Sequence, residues 1–409
     1  MSDDELIELP QVPVRTVITT IDDFHDAVEA LALGTGPVAV DAERASGFRY
    51  SQRAYLIQVY RRGAGTFLFD PPAIGEFAPL QEVIGDVEWV LHAASQDLAC
   101  LREVGLDPVT VFDTELGARL LGLPRVGLGT VVEDLLGVHL AKEHSAADWS
   151  TRPLPASWLE YAALDVELLI DLRDSMAVLL QEKGKLEIAA QEFAAVVARE
   201  EKAPLAEPWR RLTGVSALRP DRHLAAAREL WLARDELART TDIAPGRLVP
   251  DASLMVAAKA LPTTRRELAA LKQFSGRASR TEMDRWWAAI ERALTTDDIP
   301  VQRRATDTLP PPRSWSDRNP EADARLKNAR AALTTVSEEH EIPLENLLTP
   351  DFLRRVAWNA PDPLTLETVS DALHALGARP WQIELTAQPI LQAFVDALQQ
   401  PEAPSEDES

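Results

Sequence analysis

The chain has 409 residues, more than one hydrophobic core normally organises, so two to four domains are expected. Hydrophobic residues make up 46% and charged residues 26% of the chain, a composition typical of folded proteins and not of disordered ones. Cys100 is the only cysteine, which excludes an internal disulfide and agrees with a reducing compartment. The net charge of −23 argues against a protein that binds polyanions over its whole surface.

The charge is unevenly distributed along the chain. Residues 1–208 carry a net charge of −19 and residues 297–409 a net charge of −10, whereas residues 209–296 carry +6. A basic segment in an acidic protein favours a nucleic-acid-binding surface, with chance variation of surface charge as the alternative. The N-terminus lacks the pattern of a secretory signal, and no run is apolar enough to cross a membrane. We therefore expect a cytoplasmic protein without membrane contact, and no required protein partner is evident.

The first half of the chain predicts an α/β domain. The first three of its β-rich runs are joined by short or turn-like connections, which suggests antiparallel neighbours, and a helical stretch separates the last two, as parallel strands require. These runs are residues 38–43, 54–60, 66–70, 88–92 and 109–112. After residue 155, apolar residues recur at spacings of three and four, which predicts helices over 158–180 and 185–199. A mixed sheet flanked by helices is the expected architecture.

The second half predicts helices throughout and contains an internal repeat. Residues 243–262 and 342–361 are similar, and their Pro-Asp pairs at 250–251 and 350–351 lie 100 residues apart. Each pair is expected to open a helix, and the long period indicates two copies of one helical domain, with chance similarity as the alternative. The predicted division is an α/β domain, a helical domain, a proline-rich linker, a second helical domain and an acidic tail. Their bounds are residues 1–206, 207–297, 298–318, 319–400 and 401–409.

Four carboxylates and one tyrosine are candidates for a catalytic site. Asp41 and Glu43 stand two apart at the end of an apolar run, so both point to one face of a strand. Tyr161 and Asp165 stand four apart and share a helical face, while Asp97 follows a strand and a turn of small residues. Each group also has an explanation without catalysis. Asp41 and Glu43 could mark a strand end in solvent, and Tyr161 and Asp165 an exposed helix face. Asp97 could simply stabilise a helix N-terminus electrostatically. Together they suit phosphodiester hydrolysis with two divalent ions held by carboxylates.

Three motifs resemble those of ribonuclease D, in the tyrosine subclass of the DEDD 3′→5′ exonucleases. They are Val-Asp-Ala-Glu at 40–43, Leu-His-Ala-Ala-Ser-Gln-Asp-Leu at 91–98 and Glu-Tyr-Ala-Ala-Leu-Asp-Val at 160–166. The resemblance covers residues 15–200 and implies an RNase H-like fold. The two helical repeats resemble HRDC domains, and the second copy is the more divergent. The implied fold is thus an α/β RNase H-like exonuclease domain followed by two all-α HRDC-type domains.

The resemblance also implies roles for the candidate residues. Asp41, Glu43, Asp97 and Asp165 would hold two Mg²⁺ or Mn²⁺ ions. Tyr161 would position the attacking water and help to deprotonate it. The implied reaction removes nucleoside 5′-monophosphates from the 3′ end of RNA, with transfer RNA precursors as the expected substrates.

Three further residues are candidates for substrate contact. They are Gln58, His92 and Lys142. Each has a purely structural alternative: Gln58 would satisfy the sheet edge, His92 would be a structural histidine at a strand end, and Lys142 would be an exposed loop lysine. A DNA 3′→5′ exonuclease and a catalytically silent RNA-binding scaffold are the competing functions. We further expect deletion of residues 209–409 to weaken RNA binding while leaving the chemistry competent.

Overall fold

The computed structural model describes residues 15–140, 147–200, 203, 205–218, 221–301 and 309–399. Two sequence predictions, the substrate contact of Lys142 and the acidic tail at 401–409, lie outside these ranges. Within them, no helix combines the length and the apolar character needed to cross a membrane.

One mixed sheet forms the centre of the N-terminal domain. Its strands are Val17–Ile18 (β1), Thr35–Arg44 (β2), Ala54–Arg62 (β3), Gly65–Phe69 (β4), Glu88–Leu91 (β5) and Thr110–Asp113 (β6). Their spatial order is β1-β4-β3-β2-β5-β6. The pairs β2–β3 and β3–β4 are antiparallel and the pairs β2–β5 and β5–β6 are parallel, which confirms the predicted mixed sheet. The sequence did not predict β1, because two residues are too few to show an alternating pattern.

Helices cover both faces of this sheet. They are Ile21–Leu33 (α1), Pro71–Ile74 (α2), Ala78–Ile84 (α3), Leu98–Glu103 (α4), Thr114–Leu120 (α5), Leu128–Leu136 (α6), Ala156–Glu167 (α7), Leu169–Glu182 (α8) and Leu186–Val197 (α9). The single helix predicted over 158–180 is two helices, α7 and α8, that meet at Leu168. Helix α7 buries Leu159, Ala162 and Val166, residues spaced three and four apart, and packs across β2, β3 and β4.

The basic segment folds into a first helical domain with its own core. Its helices are Arg222–Thr241 (α10), Pro245–Leu248 (α11), Asp251–Ala260 (α12), Arg265–Ala270 (α13), Ala278–Thr281 (α14) and Met283–Thr295 (α15). Trp286 is fully buried in this core and its indole N–H donates to the carbonyl of Ala278 at 3.0 Å. From the N-terminal domain, only Tyr50 among the described residues packs against this core.

The C-terminal part forms a second helical domain. Its helices are Trp315–Arg318 (α16), Pro320–Glu339 (α17), Leu344–Leu347 (α18), Pro350–Trp358 (α19), Leu366–Ala375 (α20) and Pro380–Gln399 (α21). Helices α10, α11 and α12 and helices α17, α18 and α19 follow the same order of long, very short and medium length. In both copies the Pro-Asp pair opens the medium helix with the aspartate in its first turn, as predicted. The described end of the proline-rich stretch belongs to this domain, because the buried Trp315 indole donates to the Pro310 carbonyl at 2.8 Å.

Candidate active site

The central strand β2 supplies the first two carboxylates. Residues Val38, Ala39 and Val40 are completely buried between neighbouring strands, and the chain becomes half-buried at Asp41 and Glu43. Alternation along the strand sends both carboxylates to the same side, where α7 crosses the sheet.

Helix α7 completes a tight group of acids. Carboxylate oxygens of Asp41, Glu43 and Asp165 all lie within 4.8 Å of one another. The Tyr161 hydroxyl donates a hydrogen bond to the Asp165 carboxylate from one turn earlier in the helix. These four residues line a cavity of about 560 Å³.

Asp97 enters the same cavity from another element. It follows the short turn Ala94–Gln96 and stands at the N-terminus of α4, so its carboxyl reaches the cavity from the β5 side. It is not one of the three acids that converge within 4.8 Å. One of its oxygens instead lies 3.9 Å from a guanidinium nitrogen of Arg44, which also lines the cavity. All four predicted carboxylates and the tyrosine thus line one cavity. Asp41, Glu43 and Asp165 form a close group, and Asp97 lies outside that group.

A buried aspartate fixes the turn that leads to Asp97. Asp113, only 1% exposed, accepts backbone hydrogen bonds from Ala93 at 3.0 Å and Ala94 at 2.9 Å. Ala93 has a φ of 63°, a left-handed conformation that L-residues adopt only when neighbouring contacts hold it. Asp113 also accepts from the backbone of Glu115 at 2.9 Å at the start of α5. Sequence reasoning missed this role of Asp113, which the Asp-Thr pair between a strand and a helix could have indicated.

The single cysteine supports the same region. The Cys100 thiol donates to the Asp97 carbonyl at 3.1 Å, inside the first turn of α4. Burial raises the pKa of Cys100 to about 12, so the group is a neutral thiol at physiological pH.

The electrostatics of the cavity favour a bound cation. Burial raises the pKa of Asp41 to about 6, and burial together with the charge of Asp41 raises the pKa of Asp165 to about 8. The pKa values of Glu43 and Asp97 are also raised, first by burial and then by neighbouring carboxylates. Crowded acids of this kind ionise together only when positive charge lies between them. Hard divalent ions prefer oxygen ligands, so the donor set fits such an ion.

Of the three residues predicted to contact substrate, one lines the cavity, one lies outside it, and Lys142 lies outside the described residues. His92 lines the cavity; burial lowers its pKa to about 4, and its Nδ1 lies 2.9 Å from the Thr114 hydroxyl. Gln58 is fully buried opposite Asp41 on the neighbouring strand, and its side-chain amide has no hydrogen-bond partner among the described residues. It does not line the cavity, which favours a place behind Asp41 over contact with RNA. Substrate contact by these two residues and by Lys142 stays a prediction.

Comparison with known families agrees with the class that this fold and site define. Residues 15–181 match the family of 3′-5′ exonucleases, residues 223–290 match the HRDC domain, and residues 308–394 match a 3′ to 5′ exonuclease C-terminal domain. The mixed sheet flanked by helices, the acidic cavity and the match define a 3′→5′ exonuclease with an RNase H-like domain, followed by helical domains. One HRDC match is found, so the assignment of the second helical domain as HRDC-like stays a prediction.

Individual relatives narrow the class. The chain is 31% identical to ribonuclease D of Escherichia coli strain K12 over 336 residues, which is 81% of this chain and 86% of the relative. It is 32% identical to ribonuclease D of Pseudomonas paraeruginosa strain PA7, over 76% of this chain and 81% of the relative. The chain belongs to the ribonuclease D family. It is a 3′→5′ exoribonuclease that uses divalent metal and acts on RNA.

Solved structures give the same result. A protein from Bifidobacterium adolescentis is 37% identical with a TM-score of 0.85, over 93% of this chain and 97% of that one. Ribonuclease D of Escherichia coli, described as an exoribonuclease involved in structured RNA processing, is 28% identical with a TM-score of 0.67, over 88% of this chain and 98% of that one. These likenesses do not favour the DNA exonuclease or the silent scaffold.

Proposed function

We propose that Asp41, Glu43, Asp97 and Asp165 hold two divalent ions, Mg²⁺ or Mn²⁺, at the reaction centre. The convergence of three of these carboxylates within 4.8 Å beside a hydrogen-bonded tyrosine is the observation that carries the proposal. When bound, such ions lower the pKa of water and stabilise charge on the phosphoryl group and the leaving oxygen. Besides burial, the charge of Asp41 raises the pKa of each of the other three acids, so Asp41 is the candidate for a shared ligand.

The protein side chains orient the reactants. Burial and the carboxylates of Asp165 and Glu43 raise the pKa of Tyr161, so its hydroxyl keeps its proton at neutral pH. Tyr161 positions the attacking water through hydrogen bonds. Attack by this water on the terminal phosphodiester forms a P–O bond as the bond to the 3′-oxygen breaks. That oxygen takes a proton, and a nucleoside 5′-monophosphate leaves.

Transfer RNA precursors are the proposed substrates. The Escherichia coli relative is described as processing structured RNA, and a basic domain beside an acidic site suits a folded RNA with a 3′ tail. In this arrangement residues 207–297 capture the RNA body, while the carboxylates engage only the 3′ end.

The proposed division of the chain keeps 1–206 as the exonuclease domain and 319–400 as a divergent HRDC-like domain, while the described end of the predicted linker 298–318, from residue 309, joins the second helical domain. The shared order of long, short and medium helices in the two helical domains supports the last assignment. Its net acidic character gives no reason to expect direct RNA contact by this second copy.

An end-labelled transfer RNA precursor, incubated with increasing Mg²⁺ or Mn²⁺, tests the proposal. Wild-type protein should shorten the 3′ tail one nucleotide at a time, and excess chelator should stop the reaction. Asp41→Asn should reduce the rate by about 10³-fold or more, since a shared ligand is lost. Unchanged release by that variant, or activity in excess chelator, would show that the site is wrong.

A further inference from the structure

Arg44 lies where the strand pattern does not predict it. Alternation along β2 sends Asp41 and Glu43 to the cavity and would send Arg44 to the opposite face. The pairing with β3 shifts at this point, from Glu43 opposite Leu56 to Arg44 opposite Ala54, which leaves the intervening residue of β3 unpaired. Such a bulge bends and twists the strand locally. Arg44 lines the same cavity as the acids.

The guanidinium of Arg44 has spare hydrogen-bonding capacity. It carries five N–H donors. Its one ion pair in the described part of the chain is with Asp97 at 3.9 Å, beyond hydrogen-bonding distance, and its side chain is 27% exposed. This long contact leaves the donors free to face a ligand in the cavity.

With two divalent ions and a phosphodiester bound, the cavity would carry a net negative charge without a further cation. Among the described residues that line it, Arg44 is the only arginine or lysine. Four carboxylates and two divalent ions cancel, which leaves the single charge of a phosphodiester uncompensated. Charge on the non-bridging oxygens grows as water attacks, so a fixed cation there stabilises the transition state more than the ground state.

We propose that Arg44 is a catalytic residue, whose guanidinium leaves Asp97 and donates hydrogen bonds to a non-bridging oxygen of the scissile phosphodiester. This inference rests on the proposed two-ion site. The planar guanidinium of arginine suits two phosphate oxygen lone pairs. Arg44 thus serves the reaction as a positive charge on the side of the cavity that Asp97 occupies.

The first helical domain holds the bulge from outside. Asp242, at the end of α10, accepts hydrogen bonds from the Ser51 backbone N–H at 2.9 Å and the Tyr55 hydroxyl at 3.1 Å. Tyr55 is the residue of β3 that the shifted pairing leaves without a partner. A contact between two domains therefore lies at the bulge opposite Arg44.

Two substitutions distinguish the effect of the positive charge of Arg44 from the effect of its planar guanidinium geometry. Arg44→Gln should lower kcat about 100-fold, the usual effect of losing a donor to a developing oxyanion. Arg44→Lys keeps the charge and should recover about tenfold of that loss. Arg318→Gln, an exposed change in α16 that removes the same charge, should leave kcat unchanged.

Two readouts distinguish substrate contact from a structural role. In Mn²⁺ titrations without RNA, Arg44→Gln should bind the ion as tightly as wild type or more tightly, because a nearby positive charge is gone. With one phosphorothioate diastereomer at the terminal linkage, the wild-type rate loss on sulfur substitution should shrink in Arg44→Gln. Both variants should unfold at the wild-type temperature; if Arg44→Gln does not, Arg44→Lys with the sulfur substrate decides the question.

A kcat of Arg44→Gln within about threefold of wild type would overturn the inference. Weaker Mn²⁺ binding with an unchanged sulfur effect would also overturn it, since that combination marks a residue that merely holds Asp97. The Asp41→Asn variant keeps the two proposals apart. If Asp41→Asn is inactive while Arg44→Gln is normal, only the role of Arg44 fails; if Asp41→Asn is active, the two-ion site fails as well.

Discussion

The two helical domains share an order of helices but contact the exonuclease domain in different ways. The first makes polar contacts with the connection between β2 and β3, next to the cavity. Besides the contacts of Asp242, the Arg247 guanidinium donates to the Gly47 carbonyl at 2.6 Å and lies 3.9 Å from the centre of the Phe48 ring. The Ala244 N–H donates to the Phe48 carbonyl at 3.0 Å.

The second domain shares one continuous hydrophobic core with α5, α6, α8 and α9 of the exonuclease domain. A charged cluster lies within this interface: Glu192, only 8% exposed, accepts two hydrogen bonds from Arg379, at 2.6 and 2.7 Å. The Trp381 indole donates to the same carboxylate at 2.8 Å. This domain is thus part of the exonuclease fold, whereas the contacts described for the first are mostly polar and lie at the β2–β3 connection and the start of β3.

This difference changes the expectation that residues 209–409 are dispensable for chemistry. Removing the first domain would remove the hydrogen bonds from Ser51 and Tyr55 to Asp242, beside the bulge opposite Arg44. Removing the second would uncover apolar residues of the exonuclease core. Four measurements test the comparison.

The largest effect is expected from a chain that ends at residue 301. Loss of the second domain exposes the core surface of α8 and α9, so we expect mostly insoluble protein or an unfolding temperature lowered by more than about 10 °C. A chain that ends at residue 399 is the control and should behave as wild type. Soluble yield and thermal unfolding measure both, and an unchanged unfolding temperature for the shorter chain would contradict a shared core.

Glu192→Ala should lower the free energy of unfolding by about 2–3 kcal/mol. The substitution leaves the Arg379 guanidinium without its carboxylate, and the effect stays below that of a fully buried pair because Arg379 is 24% exposed. Glu187→Ala, an exposed change on the same helix, is the matched control. Urea unfolding gives both values. A difference below about 0.5 kcal/mol between the two variants would show that the charged cluster contributes little.

Asp242→Asn should have a smaller effect on stability and a larger one on activity. Asparagine tolerates the positive φ of 48° at this position but replaces one of the two acceptor oxygens with a donor, so about 1 kcal/mol is lost. Because the bulge loosens, kcat should fall severalfold while Mn²⁺ affinity stays the same. Asp284→Asn, in an exposed ion pair with Arg265, is the control. Equal kcat for both variants would separate the interface from catalysis.

The smallest expected effect is the pH dependence of the stabilisation that Mn²⁺ gives to the folded protein. The pKa values of Asp41 and Asp165 are raised in the folded state, so their protonated forms favour folding and their contribution to stability is lost as pH rises through about 6 and about 8. Divalent ions compete with these protons, so Mn²⁺ should stabilise the protein more near pH 8 than near pH 6, by about 1 kcal/mol at a few times its Kd.

Thermal unfolding with Mn²⁺ and with chelator gives this difference at each pH. Asp242→Asn should show the wild-type difference, and Asp41→Asn should show much less. A shift that is equal at both pH values would exclude proton competition at these carboxylates.

The sequence predicted the parts of the fold that follow from local patterns. Five strands, the antiparallel pairs β2–β3 and β3–β4, the parallel pair β5–β6 and the helix opened by each Pro-Asp pair depend on alternation, spacing and turns, which are visible in one chain. The parallel pairing of β2 with β5 was not predicted. The break at Leu168 was missed, because the apolar spacing of α7 runs on into α8. The candidate acids were predicted from their spacing and from a family resemblance, and their meeting in one cavity is a result of the structure.

What the sequence could not predict depends on contacts between distant segments. Arg44 was overlooked because strand alternation places it on the opposite face, and its approach to Asp97, beside a one-residue shift in pairing with β3, is visible only in the structure. Glu192 contacts Arg379 and Trp381, which lie 187 and 189 positions further along the chain, and neither segment alone indicates these contacts. The hydrogen bond from Ala93 to Asp113 likewise joins the turn after β5 to the end of β6, and local patterns treat these two segments separately.

The buried Cys100 gives the protein a built-in reporter of motion next to the reaction centre. Its thiol is bonded to the Asp97 carbonyl, and burial keeps its pKa near 12, so alkylating reagents react only after the first turn of α4 opens. Because the chain contains no second cysteine, labelling kinetics report on this one turn without mutagenesis. The rate of label uptake, with and without divalent ion, would measure how firmly the fourth acid is held before any RNA arrives.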